Sequence, residues 1–395
     1  MDSKYQLPVI QPAAASRGCN ADSMPYSPGR TMTLAEVRHE YPCDNCSAPC
    51  CTYLPLNTFN VSHLRDLDHA LYVINFPRIE VGINATGGWG VYYRYPCRFL
   101  NRDTALCTIY GSDQRPSICA HYNPYSCWYK QVLGPKVDES FLRIDSRRME
   151  ALAEHLTFDE NLNIVGSPDW PMMLSMLEKL PLSPEYDESF DEDPIFDSWL
   201  RNATDAGQRE PALETKFSYT SLNNPCEGCG AFCCKYLVFP QPAPTTRVSL
   251  DYLQFALGFP GLEIGISDEA WFIIVKTTCR HLSQNRCSIF GKPERPQICR
   301  FYDAHACSYV AQFGTPRPHG FMRIRLEQFQ MLVEPIGFDE CGNITYMPQT
   351  EELRRHVEQR FCEKTFAESE RMNPAGLGPA IQPSLMKSSF DHGIR

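Results

Sequence analysis

The chain has 395 residues, of which 43% are hydrophobic, 12% aromatic and 21% charged, a balance that buries a core and excludes disorder of the chain as a whole. Its 37 Lys and Arg against 47 Asp and Glu leave a formal net charge of -10, which argues against a broad basic face for nucleic acid or anionic lipid. The outlier is cysteine, with 19 residues grouped in two windows.

In chain order, residues 1–40 are rich in Pro, Ser and Ala and are expected to be a flexible N-terminal segment. They hold no apolar run of signal-peptide length, and the apolar stretch Trp271 to Val275 is far too short for a membrane helix. The expected location is cytoplasmic, where clustered thiols bind metal or do redox chemistry more often than they form disulfides. Residues 41–170 form the first expected domain. It opens with Cys43, Cys46, Cys50 and Cys51 in C-x2-C-x3-C-C spacing. Ser62 is a candidate cap for a helix whose Leu64, Leu67, Leu71 and Ile74 recur at helical spacing and which ends near Phe76-Pro77. ATGGWG at 85–90 reads as a turn, and Trp89 to Tyr95 as a strand delivering Cys97. Cys107 follows, and Arg115-Pro116 suggests proline in the first turn of a short helix carrying Cys119, before Cys127. FLRI at Phe141 is expected to open another helix, and FDENLNI at Phe158 to be a turn and strand.

Residues 171–222 hold 11 acidic and 4 basic residues and are expected to be an acidic, solvated linker with a helix around Met172 to Leu180. The second domain, 223–350, repeats the first. Cys226, Cys229, Cys233 and Cys234 lie 183 positions after the first four cysteines, and Cys287, Cys299 and Cys307 lie 180 after Cys107, Cys119 and Cys127, with Cys279 matching Cys97. Ser249 is the matching helix cap, before Leu250, Leu253 and Leu257. Residues without ligand chemistry match as well: Phe76-Pro77, Glu80 and Gly82-Ile83 correspond to Phe259-Pro260, Glu263 and Gly265-Ile266, and FLRI to FMRI at Phe321. This argues for a duplicated fold of the α+β class: two homologous small metal-cored lobes of short helices and strands related by a pseudo-two-fold. Residues 351–395 should give a C-terminal helix and a flexible tail. Glu80 and Glu263 are expected in capping or turn roles, and Cys19, Cys341 and Cys362 as incidental thiols.

Zinc and a [4Fe-4S] cluster each take four thiolates. Eight cysteines per repeat therefore allow two four-cysteine sites, one such site plus thiols of other use, or a bridged multinuclear centre. In C-x2-C-x3-C-C a helical turn would set the first three cysteines on neighbouring positions and leave the fourth about 100° further round. Arg98, Arg280, Arg115 and Arg295 are candidate donors to sulfur, with a salt bridge or turn role as the alternative. The C-x-x-C pairs lack the βαβ setting of a thioredoxin-type redox site.

The order C-x2-C-x3-C-C, then Cys97 or Cys279, then C-x-I-[YF]-x4-R-P-x2-C and a final cysteine resembles the YkgJ-type cysteine-cluster family, in two tandem copies. The resemblance implies a zinc- or iron-chelating protein, with an iron-sulfur cluster among the options and a redox or structural role. The first copy departs from the common Cys-Arg-Phe with Cys119-Ala120-His121; His121 is expected to pack or hydrogen-bond, with a ligand role as the alternative. A flagellin lysine methylase carries a similar cluster, so the alternative implied is a metal-dependent protein-modifying enzyme with a protein partner. No Walker A, H-E-x-x-H or G-x-S-x-G motif is present.

Overall fold

The computed structural model describes residues 46, 48–123, 127, 129, 141–182, 230–302, 307–309 and 320–372. The expected flexible termini, residues 183–222 of the acidic linker, and Cys19, Cys43, Cys226 and Cys229 lie outside the described residues.

The first half runs β1 (Tyr53–Phe59), α1 (Leu64–Ile74), β2 (Ile79–Asn84), β3 (Trp89–Arg94), the two-residue strands β4 (Leu100–Asn101) and β5 (Leu106–Cys107), α2 (Ser117–Ala120), β6 (Phe141–Ile144) and α3 (Ser146–Ala153). It closes with β7 (Thr157–Phe158), β8 (Ile164–Gly166) and α4 (Trp170–Leu177). The second half repeats the order: β9 (Tyr236–Gln241), α5 (Arg247–Leu257), β10 (Leu262–Ser267), β11 (Trp271–Lys276), β12 (Leu282–Ser283), β13 (Arg286–Cys287), α6 (Gln297–Arg300), β14 (Phe321–Ile324) and α7 (Leu326–Val333). There follow β15 (Gly337–Phe338), β16 (Ile344–Tyr346) and the long α8 (Thr350–Met372). The class is α+β, and each half is built on an antiparallel four-stranded sheet, ordered β1-β3-β2-β6 in one and β9-β11-β10-β14 in the other.

Strand alternation sends one face of each sheet inward. Ile79, Val81 and Ile83 on β2 and Leu262, Ile264 and Ile266 on β10 are buried and belong, with α1, α5 and α7, to one continuous apolar cluster. The expectation of two metal-cored lobes is thus corrected: among the described residues the halves share a single apolar cluster, because α1 and α5 pack on β2 and β10 of their own half and also meet the short cysteine helices of the other. Behind the sheets, Phe141 and Phe321 lie over Gly82 and Gly265, where any Cβ would meet their rings; this explains the matched Gly-Ile pairs.

Three local expectations are also revised. The helix caps are His63 and Thr246, not Ser62 and Ser249: Asp66 accepts from the His63 N–H at 3.1 Å, and Ser249 sits at the third helical position. FLRI and FMRI are edge strands, not helices, and pair with β2 and β10. Pro116 and Pro296 precede the short helices rather than opening them. The helix expected at Met172 to Leu180 is α4. No helix among the described residues is long and apolar enough to cross a membrane.

Candidate metal centre

Each cluster begins with a strained turn. Ala48 and Ala231 both adopt left-handed backbone, at φ 52° and 56°, a conformation that costs an L-residue with a Cβ roughly 1–2 kcal/mol. Each starts a 3₁₀ turn, Pro49–Cys51 and Phe232–Cys234. The tight turn brings adjacent sulfurs together: Sγ to Sγ is 4.0 Å for Cys50 and Cys51 and 3.9 Å for Cys233 and Cys234. The sulfur of the fourth cysteine therefore lies against that of the third, where α-helical geometry would set it about 100° further round.

The strand end then docks on this turn. The Cys97 N–H donates to the Cys51 carbonyl at 2.6 Å, and the Cys279 N–H to the Cys234 carbonyl at 2.8 Å. The hairpins β4–β5 and β12–β13 place Cys107 opposite Leu100 and Cys287 opposite Leu282. Cys119 and Cys299 lie on α2 and α6. Cys127 is buried against Tyr53, Tyr92, Tyr129 and Phe141, a group that Cys50 also touches. Cys307 accepts from the Tyr302 hydroxyl at 3.4 Å, and Cys46 is partly buried. Cys341 and Cys362 are exposed.

Electrostatics link Cys50, Cys51, Cys97, Cys107 and Cys119 in the first half and Cys233, Cys234, Cys279, Cys287 and Cys299 in the second. The Cys51 thiol is pushed well up by its hydrogen bond with Cys50, by burial and by the charges of Cys50, Cys97 and Cys119. Burial pushes Cys97 up to about 11, and Cys107 and Cys50 add to it. Cys119 is raised by burial and then by Cys97. In the second half Cys234 is pushed up by its hydrogen bond with Cys233 and by burial, while Cys279 and Cys299 are raised chiefly by burial, Cys299 to about 12. Cys233 goes the other way, down to about 7, through its hydrogen bond with Cys234 and the nearby Arg295. Several half-buried thiols that oppose one another's ionisation are the donor set whose conflict a bound cation relieves, with protons released.

Of the four candidate arginines, Arg115 and Arg295 fit the role. Their charges lower Cys119 and Cys299, and each has a buried Nε with no hydrogen-bond partner, while the guanidinium stacks on Tyr110 at 4.4 Å or Phe290 at 4.6 Å. Arg98 and Arg280 likewise lower Cys97 and Cys279, and they also reach across to the opposite half, Arg98 to Glu327 at 2.8 Å and Arg280 to the Ile74 carbonyl at 3.0 Å. His121 bonds its own helix, at Ser117.

Glu80 and Glu263 are neither caps nor turn residues. Both are buried on the outer sheet faces, Glu80 held by Arg143 at 2.7 Å and by the Tyr53 phenol, and Glu263 by Arg323, Arg325 and Lys276. Two further residues went unremarked in the sequence. Asp68 and Asp251 occupy the same position of the matched helices α1 and α5 and reach the opposite half's cysteine helix; the signal was an acidic residue recurring among the apolar positions of both copies.

Among the described residues no group of three or more Cys, His, Asp or Glu is arranged to hold a metal ion. The donor chemistry nevertheless fits zinc or iron. Four thiolates at 2.3 Å from zinc stand about 3.8 Å apart, the separation at which the two Cys-Cys pairs already lie. The orphaned arginine nitrogens are the donors a thiolate-bound metal calls for around it.

Comparison with known proteins agrees on the class of chemistry. Residues 42–140 match the CxxCxxCC family, described as "Putative zinc- or iron-chelating domain". No curated protein matches the chain, and no solved structure matches it.

Proposed function

We propose that the protein is a metal-chelating protein with two cysteine clusters, one per half, the second a further copy of the domain matched at 42–140, each holding zinc or iron through thiolates. The ligands are drawn from Cys43, Cys46, Cys50, Cys51, Cys97, Cys107, Cys119 and Cys127 in the first cluster and Cys226, Cys229, Cys233, Cys234, Cys279, Cys287, Cys299 and Cys307 in the second. The observation that carries the reading is the pair of near-identical sulfur contacts, 4.0 and 3.9 Å, each set up by a left-handed alanine. Backbone strain repeated at the same place in both halves marks a site whose geometry is worth more than its local cost.

The metal's work is first structural. Among the described residues 95–123, and again 277–302, the regular elements are two-residue strands and a four-residue helix, too little to hold those stretches by hydrogen bonding alone. Tyr110, Phe290 and Phe301 are left 69%, 71% and 80% exposed there. Cross-linking through metal replaces the missing apolar packing. If the metal is iron with sulfide, the same site carries electrons.

Anaerobic purification with metal and acid-labile sulfide analysis tests this. At least two metal ions per chain are expected, with Cys50→Ser and Cys233→Ser each lowering the content of its own half and Cys19→Ser lowering neither. A chain that takes up neither metal would overturn the reading.

A further inference from the structure

The two halves exchange carboxylates. Asp68 on α1 is 7% exposed, and its two oxygens accept from the Gln297 and Ile298 N–H groups, both at 2.7 Å. Those are the first two amides of α6, and Cys299 is the next residue. Asp251 on α5 does the same for α2: it accepts from Ser117 at 2.7 Å and from Ile118, immediately before Cys119. Neither short helix has a cap of its own, because the residue at the cap position is a proline with no side-chain acceptor.

The exchange extends along a helix face. Tyr72 donates its hydroxyl to the Cys233 carbonyl at 2.8 Å, and the Asn75 carbonyl accepts from the Arg280 N–H at 2.9 Å. Asp68, Tyr72 and Asn75 are spaced i, i+4, i+7, which puts them on one side of α1, so that side addresses three cysteine-bearing segments of the other half. On α5, Asp251 is joined by Gly258, whose carbonyl accepts from the Arg98 N–H at 2.9 Å.

We propose that Asp68 and Asp251 are positioning residues acting between the halves: each sets the cysteine helix of the opposite half, so that each metal centre is completed by the other half. The proposal rests on the metal-binding reading above and adds to it the statement that neither half is a self-sufficient chelating unit.

The test uses the full chain with one cluster silenced at a time, Cys50→Ser with Cys51→Ser for the first and Cys233→Ser with Cys234→Ser for the second. Zinc affinity is read by chelator competition. Asp68→Asn, which keeps one of two acceptor oxygens, is expected to weaken zinc at the second cluster about tenfold and to leave the first unchanged; Asp251→Asn should do the reverse. Equal losses at both clusters, or a loss confined to the aspartate's own half, would overturn the proposal. Gln297→Pro removes one donor from the other side of the contact at a position where proline is tolerated, and combined with Asp68→Asn should cost less than the product of the two; a full product counts against the contact.

A metal-free measurement separates the two ideas. Asp68→Asn should speed iodoacetamide labelling of Cys299 but not of Cys119, by peptide mass spectrometry. Wild-type protein that binds no zinc or iron overturns the chelating function, while unchanged Cys299 labelling overturns the positioning role.

Discussion

Glu263 offers a sharp test of how the second half is held together behind its cysteine turn. The carboxylate is 2% exposed and receives Arg323 Nε at 2.6 Å, Arg325 Nε at 3.1 Å and Lys276 Nζ at 3.4 Å. Burial pushes its pKa up, but Arg323, Lys276 and Arg325 outweigh that and hold it down at about 2, against an ordinary 4.5. A depression of about 2.5 units at 1.36 kcal/mol each amounts to about 3 kcal/mol. Because the folded pKa is the lower one, this contribution is complete above about pH 5 and is lost as the pH falls toward 2. Urea unfolding of reduced, metal-free protein at pH 7, 5, 3 and 2, wild type against Glu263→Gln, reads it directly. The stability gap should be about 3 kcal/mol at pH 7 and 5, less than half that at pH 3, and nearly closed at pH 2. A gap that does not change with pH would refute the reasoning, since it would come from shape and not from charge.

Ala48→Gly relieves the left-handed strain at the first turn; set against glycine's extra unfolded entropy, it should raise the stability of the metal-free protein by up to about 1 kcal/mol in urea, and a loss would contradict the strain. Gly82→Ala drives a methyl into the Phe141 ring and should cost about 1–3 kcal/mol in the same measurement. Chelation should speed hydrogen exchange at 97–123 and 279–302 while the amides of β1, β3, β9 and β11 stay protected, because those strands owe their burial to the apolar core; uniform acceleration would place the metal in the core's support.

What the sequence disclosed and what it hid divide along the range of the interactions. The amphipathic helices α1 and α5 and the strands β3 and β11 were legible because periodicity is local. FLRI and FMRI were not: four residues cannot separate a strand from a helix by period, and their strand partners lie some 60 residues upstream, Val81 opposite Ile144 and Ile264 opposite Ile324. The Ser62 cap failed for a subtler reason, since the Asp66 carboxylate accepts from both the Ser62 and His63 N–H groups and only the His63 ring turns back to the helix, accepting from Arg65 at 2.9 Å. The cysteines announced the site. Their closest pairing needed the left-handed alanine, which residue identity does not advertise, since alanine has no preference for that region.

The shared core and the exchanged aspartates bear on one another. Two metal-cored lobes would each need only their own cysteines, and a linker would suffice to join them. Here the helix that carries Asp68 is buried in the common core through Leu67, Ala70, Val73 and Ile74, while the segment it caps has almost no apolar anchorage of its own beyond the partly buried α6. The core thus supplies rigidity to the cysteine loops at second hand, through a carboxylate that spans the boundary between halves. The same position of α1 and α5 is acidic and serves both loops, so the arrangement needs no chemistry beyond a carboxylate that accepts from two backbone amides.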